Sequence, residues 1–299
     1  DQYNQQGGVL GKKIEILTED DGGDPRTASL AANRLATRNI VAVVGTYGSS
    51  ITEASQNIYD EAGIVQVANG STAIRLSEKG LKNFFRTCPR DDEQGKVATS
   101  TIQKLGAKKV AILHDNTSYA KGLAEESRAN LKAAKVEVVF FDALTPGERD
   151  YNAILTKLKA ANPDALYIPG YYEEVSKIIK QAREIGITCP MLGSDGWESP
   201  KLAEIAGKDA LKGCYYVSAF NAKDEDKSVQ DFIKKFKEKY QKDPDIFAMQ
   251  AHKGAGKETT SADIIIRKFP RLIGYRYRMP LLAIKRIRIA IYQLVHIDA

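Results

Sequence analysis

Short runs of apolar, β-branched residues recur along the chain, and a stretch with helical periodicity follows most of them. This alternation is typical of βα units that build a parallel sheet. It predicts strands near residues 13–18, 40–45, 64–68, 108–114, 136–142, 165–169, 191–193 and 213–219. It predicts a helix from Pro25, capped by Asp24, and helices over about 51–62, 93–105, 119–134, 150–161, 173–184 and 226–241. Either one barrel or two open, doubly wound sheets fit this pattern.

The composition is that of a globular chain with one large domain or two smaller ones, since 43% of the 299 residues are apolar and 27% are charged. The net charge of +6 is concentrated in residues 251–299, which hold ten Lys or Arg and three Asp or Glu. The rest of the chain is close to neutral, which argues against a general nucleic-acid surface. No apolar run approaches the roughly 18 residues of a membrane span. The polar start contains no export signal.

Small and polar residues follow several predicted strands directly. These segments are residues 45–50, 69–72, 114–116, 170–172 and 193–196. The carboxyl ends of parallel strands meet at one edge of a sheet, where helix N-termini and free backbone N–H groups also converge. We therefore expect these loops to bind a ligand.

Individual residues in these loops have both a functional and an ordinary interpretation. Ser49 and Thr72 have small neighbours and could donate to a carboxylate or phosphate, whereas serine before a helix is also a common cap. Asp195 could bind an ammonium group, or it could form an Asx turn. Tyr119, Tyr171 and Tyr172 could form an apolar wall with polar tips, or simply pack.

Signals of catalysis are absent from the sequence. It contains neither a G-x-S-x-G nor an H-E-x-x-H pattern, and its three histidines lie far apart. The segment Gly254–Lys257 lacks the leading glycine and the final Ser or Thr of a phosphate loop. We therefore expect no enzyme, no bound metal and no cofactor.

Several motifs occur in one order between about residues 7 and 251. They are segments 7–15, 19–25, 59–64, 85–87 with 92–95, 114–115 with Tyr119 and 122–124, and 181–186. In this order they resemble the branched-chain amino acid binding proteins, of the leucine/isoleucine/valine type, that serve ABC transporters. The resemblance implies the α/β fold of type I periplasmic binding proteins, in which a three-strand hinge joins two doubly wound parallel-sheet lobes. Such lobes enclose the ligand when they close.

The same resemblance implies a ligand-binding set. From the first lobe, Ser49 would take the ligand α-carboxylate, and Gly70, Ser71 and Thr72 would supply further contacts. From the second lobe, the set is Tyr119, Tyr171 and Asp195, with the aspartate on the α-ammonium.

The function that the resemblance implies is that of a non-enzymatic solute receptor in the periplasm or another extracytoplasmic space. It would capture a free aliphatic, branched-chain amino acid between its lobes and deliver it to the membrane permease of an ABC importer. One alternative is a receptor for an amide, urea or aromatic acid on the same scaffold. Another is a nucleic-acid or membrane-surface binder that acts through the basic residues 252–289, although no nucleic-acid partner is expected.

The chain departs from the family pattern in two places. The strand and helix that precede Gln5 in the family are missing, so we expect a gap at a central strand of the first lobe. The expected lobes are residues 1–90 with about 221–286, and residues 91–220 with about 287–299. The pattern is lost over 252–289, where a basic surface and a frame-shifted coding stretch are both open explanations. The last ten residues again resemble a strand.

Overall fold

The structure is a computed structural model that describes residues 2–218, 225–244, 248 and 286–292. It divides the chain into two compact units, Asp1–Cys88 with Phe247–Ala299, and Pro89–Ile246. Each unit contains a five-stranded sheet whose neighbouring strands are all parallel. The predicted α/β class is confirmed, with two open sheets rather than one barrel.

The first unit begins with alternating helices and strands. They are α1 (Gln2–Gln5), β1 (Lys13–Glu19), α2 (Pro25–Ala36), β2 (Ala42–Val44), α3 (Ser49–Glu61), β3 (Val65–Ala68) and β4 (Phe84–Arg86). Asp24 caps α2 as predicted, because its carboxylate accepts hydrogen bonds from the backbone N and the Oγ1 of Thr27 at 2.7 and 2.9 Å. The strand β4 was not predicted from the sequence.

The second unit continues the alternation. Its elements are α4 (Asp91–Lys104), β5 (Lys109–His114), α5 (Ser118–Ala133), β6 (Glu137–Ala143), α6 (Asn152–Ala160), β7 (Ala165–Ile168), α7 (Tyr172–Glu184), β8 (Met191–Gly193), α8 (Pro200–Ala206), β9 (Cys214–Tyr216) and α9 (Lys227–Tyr240). The strand order is β6-β5-β7-β8-β9. The helix α8 was not predicted from the sequence.

Both faces of the second sheet are covered, and β5 shows why. Val110 and Ile112 lie in a buried cluster with residues of α4 and α5, whereas Ala111 and Leu113 lie in a second cluster with residues of α6, α7 and α8. Alternate residues of a strand point to opposite faces, so a strand between two helical layers is apolar throughout. This explains the continuous apolar runs in the sequence.

A last strand, β10 (Arg286–Tyr292), completes the sheet of the first unit, whose order is β1-β10-β2-β3-β4. It pairs with β1 along its whole length and with β2 at three positions. The expected gap is therefore wrong, because β10 supplies backbone partners to the strands on both sides.

The division into units also differs from the expected lobes in two segments. The described residues of 287–299 lie in the first unit rather than the second, because β10 pairs there. The described residues of 221–246, which include α9, lie in the second unit rather than the first. Of the predicted final strand, the residues beyond Tyr292 lie outside the described part of the chain.

Among the helices of the described part, none is long and apolar enough to cross a membrane.

Candidate functional site

Ser49 lies at the start of α3, at the carboxyl end of β2. The residue that caps this helix is Gly48, without a side-chain hydrogen bond, so the capping interpretation of Ser49 is wrong. Its buried Oγ instead accepts a hydrogen bond from the backbone N of Ala73 at 3.2 Å. The Ser49 proton is then available to a ligand acceptor.

Ser71 holds together the two loops that follow β2 and β3. Its Oγ lies 2.5 Å from the Oγ1 of Thr52 and within 3.1 Å of the carbonyl oxygens of Thr46, Tyr47 and Gly48. Thr46 and Thr52 also share a short hydrogen bond between their hydroxyls. The Ser71 hydroxyl therefore braces the loops, and a ligand contact from this residue stays a prediction.

Thr72 follows in the same loop as Gly70. It is 1% exposed, and its Oγ1 has no hydrogen-bond partner among the described residues. Arg86 holds this loop from β4, because its guanidinium donates to the carbonyl oxygens of Ser71 and Ala73 at 3.0 and 2.9 Å. A buried hydroxyl without a partner in a braced loop is suited to contact a polar ligand.

The electrostatics of the α3 N-terminus favour an anion. The first turn of this 13-residue helix contains no acidic residue, and the start of a helix carries a partial positive charge and free N–H groups. With the hydroxyls of Ser49 and Thr72 beside it, this end of the first sheet is suited to bind a carboxylate.

Asp195 and Tyr119 form the centre of a cluster in the second unit. Asp195 follows β8 and is 4% exposed, and its Oδ1 accepts a short hydrogen bond from the hydroxyl of Tyr119, 76 positions earlier in the sequence. The backbone N of Gly196 donates to the same hydroxyl at 3.4 Å. This contact joins α5 to the turn after β8, and it goes beyond the local Asx turn that was the ordinary interpretation of Asp195.

The carboxyl group of Asp195 is desolvated, and no ion pair to it occurs among the described residues. Burial raises its pKa above the ordinary value of 3.8, and the largest opposing effect is the hydrogen bond from the Tyr119 hydroxyl. A buried carboxylate is normally paired with a positive charge, because an uncompensated one is costly. The site therefore favours a ligand that brings its own cation.

Two tyrosine rings lie beside this carboxylate. Tyr171 precedes α7, and its ring centroid lies 5.2 Å from that of Tyr119 at an angle of 41°. Burial raises the pKa of both hydroxyls above their usual value, and the Asp195 charge raises that of Tyr119 further. Tyr119 thus stays protonated and donates to Asp195. The structure brings the three predicted residues of the second unit together.

Two glycines shape the turn that carries Asp195. A Cβ at Gly193 would lie 1.9 Å from Cδ2 of Trp197, and a Cβ at Gly196 would lie 2.5 Å from the carbonyl oxygen of Gly170. Trp197 is fully buried, and its Nε1 donates to the carbonyl oxygen of Ile168 at 2.8 Å. The turn is therefore packed against β7, which fixes where Asp195 lies.

Sequence analysis missed the acidic and amide residues around Asp195. Gln94 accepts a hydrogen bond from the backbone N of Asp195 at 2.8 Å and donates to Oδ1 of Asp91 at 3.1 Å. Asp115 is buried at the end of β5, and its Oδ2 would lie 3.4 Å from a Cβ at Gly170. Gln94 and Asp115 lie in segments that resemble the family, but no local pattern reveals contacts between residues as far apart as Gln94 and Asp195.

The described residues contain no group of three or more His, Cys, Asp or Glu that could hold a metal ion. Three cysteines, Cys88, Cys189 and Cys214, are free thiols.

Comparison with known proteins identifies the family. The periplasmic binding protein family matches residues 1–256, and the chain belongs to this family. An amino acid binding protein from Pseudomonas aeruginosa is 41% identical over 209 residues, 69% of this chain and 56% of that protein. The Leu/Ile/Val-binding protein of Escherichia coli K12 is 36% identical over 208 residues, 69% of this chain and 57% of that protein. The chain thus spans little more than half the length of these relatives.

Solved structures agree with this assignment. The branched-chain amino acid transporter substrate binding protein LivJ from Streptococcus pneumoniae, in complex with isoleucine, is 33% identical with a TM-score of 0.77, over 84% of this chain and 72% of that one. The leucine binding protein LivK from Thermotoga maritima is 29% identical with a TM-score of 0.78, over 83% and 71%. The predicted type I periplasmic binding protein fold and the resemblance to branched-chain amino acid binding proteins are confirmed.

Proposed function

We propose that the protein binds a free branched-chain amino acid outside the cytoplasm and delivers it to the permease of an ABC importer. The first unit takes the α-carboxylate with Ser49, Thr72 and the N-terminus of α3. The second unit takes the α-ammonium with Asp195, while Tyr119 and Tyr171 contact the ligand beside it. No catalytic step is involved.

The observation that carries this proposal is the buried carboxyl group of Asp195. Asp195 is 4% exposed, and its carboxyl accepts a hydrogen bond from a protonated tyrosine. Burial raises the pKa of this carboxyl, and no cation is among the groups with the largest effect on that pKa. An α-ammonium would supply the missing positive charge. A ligand with only a carboxylate or an amide would leave this charge uncompensated.

The relatives support the same ligand class and the same cellular role. The Escherichia coli protein is named for leucine, isoleucine and valine, and the Streptococcus pneumoniae protein was solved with isoleucine. The name of the Streptococcus pneumoniae protein supports a transporter as the partner, and membership of the periplasmic binding protein family supports an extracytoplasmic location.

Calorimetric titration tests the proposal. We expect saturable binding of leucine, isoleucine and valine, and much weaker binding of 4-methyl-2-oxopentanoate, which has the leucine side chain without an ammonium group. Leucinamide, which lacks the carboxylate, tests the first unit in the same way. Tighter binding of the oxo acid or of an aromatic acid than of leucine contradicts the proposal.

A variant separates the role of Asp195 from general effects. Asp195→Ala is expected to weaken leucine binding by about 100-fold or more, because the ligand ammonium loses its buried partner. The control is Asp209→Ala, since the side chain of Asp209 is 95% exposed beside Lys212. Equal leucine affinity in both variants rejects Asp195 as the ammonium partner.

A further inference from the structure

Gln94 connects two parts of the second unit that are far apart in the sequence. It lies in the first turn of α4 and is 5% exposed. Its Oε1 accepts a hydrogen bond from the backbone N of Asp195 at 2.8 Å, across 101 positions of sequence. Its Nε2 donates to Oδ1 of Asp91 at 3.1 Å. Both ends of the buried amide are therefore hydrogen-bonded.

Asp91 determines which way the amide of Gln94 points. The Oδ1 of Asp91 accepts a hydrogen bond from the amide nitrogen of Gln94, and this contact places that nitrogen on the side of Asp91. The amide oxygen must then face the other way, toward the backbone N–H of Asp195. Asp91, three positions earlier in the same helix, thus fixes the donor and acceptor ends of the Gln94 amide.

Asp195 is consequently held from two sides by two different helices. Gln94 of α4 holds its backbone, and Tyr119 of α5 holds its carboxylate. A charged group that is fixed before the ligand arrives loses little conformational entropy on binding, which raises affinity.

We propose that Gln94 is a positioning residue for ligand recognition, which fixes the backbone of Asp195 so that its carboxylate meets the ligand ammonium. This inference rests on the proposed function, because it takes Asp195 as the ammonium partner. Gln94 itself need not touch the ligand. Asp91 contributes indirectly, because it orients the amide of Gln94.

The test compares Gln94→Met with Thr99→Val, both read out by calorimetry with leucine. Methionine is close in size to glutamine but accepts no hydrogen bond from Asp195. Thr99 is the matched control, because it is also buried on α4 and its Oγ1 has no hydrogen-bond partner in the described part of the chain. We expect about a tenfold loss of leucine affinity in Gln94→Met and no change in Thr99→Val.

A second readout separates positioning from a general packing role. Amide hydrogen exchange at Asp195, followed by NMR without ligand, reports directly on the hydrogen bond to Gln94. We expect slow exchange in the wild type and in Thr99→Val, and fast exchange in Gln94→Met. The wild-type measurement stands even where Gln94→Met does not fold, and fast exchange in the wild type overturns the inference.

The outcomes separate this inference from the function on which it rests. A folded wild type that binds no amino acid rejects the proposed function. A wild type that binds leucine, with unchanged affinity in Gln94→Met, rejects the positioning role alone. Weaker binding in Gln94→Met with Asp195 exchange as slow as in the wild type also overturns it, because the loss would then arise elsewhere.

Discussion

At the scale of the residue, the buried carboxyl of Asp195 favours ligand binding but lowers the stability of the unliganded protein. Its carboxyl is buried, and burial raises its pKa above 3.8. The folded protein therefore holds the carboxyl proton more tightly than the unfolded chain does. This stabilises the folded state at a pH below the pKa of the unfolded chain, and the contribution is lost as the pH rises through the pKa of the folded protein. An ionised Asp195 therefore weakens the unliganded fold, and a ligand ammonium would compensate its charge.

Asp195→Asn should separate these two effects. We expect the unliganded variant to be about 1 kcal/mol more stable than the wild type at pH 7, because it lacks the buried charge and keeps an acceptor for Tyr119. The difference should vanish below pH 3.8 and grow as the pH rises through the raised pKa. Thermal unfolding across this range, with and without leucine, is the measurement. A variant less stable than the wild type at pH 7 contradicts the interpretation.

Tyr119→Phe removes the hydroxyl that donates to Asp195 and leaves the ring against Tyr171. We expect leucine affinity to fall by about 10- to 100-fold, the effect of a hydrogen bond to a charged group. Tyr167→Phe is the matched control, because Tyr167 is another fully buried tyrosine of the second unit and its hydroxyl is not hydrogen-bonded to Asp195 in the described structure. Similar calorimetric affinities for both variants would exclude the Tyr119 hydroxyl from the site.

The sequence could predict the residues of the site that directly follow a strand. Ser49, Thr72 and Asp195 could be proposed as ligand contacts because parallel strands place their carboxyl ends at one edge, and these contacts stay predictions. The sequence could not predict Gln94, because its partner lies 101 positions away and only tertiary packing brings them together. It also could not assign the Ser71 hydroxyl to loop bracing, since three of its neighbouring oxygens come from the loop after β2 and the fourth from Thr52 of α3.

At the scale of the element, the turn after β8 depends on the absence of a side chain at Gly193. We expect Gly193→Ala to destabilise the protein by about 1–3 kcal/mol, because its Cβ would collide with the buried ring of Trp197. Gly95→Ala is the control, because its Cβ would first meet the side-chain Nδ2 of Asn130 at 3.1 Å and alanine favours a helix. Urea unfolding compares them, and equal midpoints would refute the collision.

Most helices and strands could be predicted because their periodicity is local. The missed elements are short, such as β4 with three residues and α8 with seven. A three-residue strand is indistinguishable from a loop until a neighbour pairs with it, and β4 forms through its pairing with β3.

At the scale of the whole molecule, β10 occupies a place in the first sheet that the sequence analysis left empty. The final apolar run was correctly expected to be a strand in its described residues. Its place in the sheet was not expected. The strands that pair with it are determined by burial and by backbone pairing with residues far along the chain, and the local pattern does not contain this information.

A proline at Ile289 tests whether the first unit depends on β10. Ile289 pairs with Ile16 of β1 and Ala42 of β2, and proline would remove a ladder donor from this central strand. We expect a loss of about 3 kcal/mol or more, with faster hydrogen exchange in β1 and β2 and unchanged exchange in β5 and β7.

Ile289→Val is the matched control, because valine keeps the N–H group and the preference for a strand. Protection of β1 and β2 should survive in this variant. Undiminished protection in Ile289→Pro would show that β10 is dispensable for the sheet.

The position of β10 also sets an order for biosynthesis. The ribosome synthesises the chain from its N-terminus, and the second unit is one continuous stretch that precedes β10. The second unit is therefore complete while β10, the strand between β1 and β2, is still to be translated. Until then the nascent β1 and β2 expose unpaired edges, which are prone to aggregation. The unit whose residues emerge first is therefore the last to mature, and we expect it to need the protection of a chaperone during that interval.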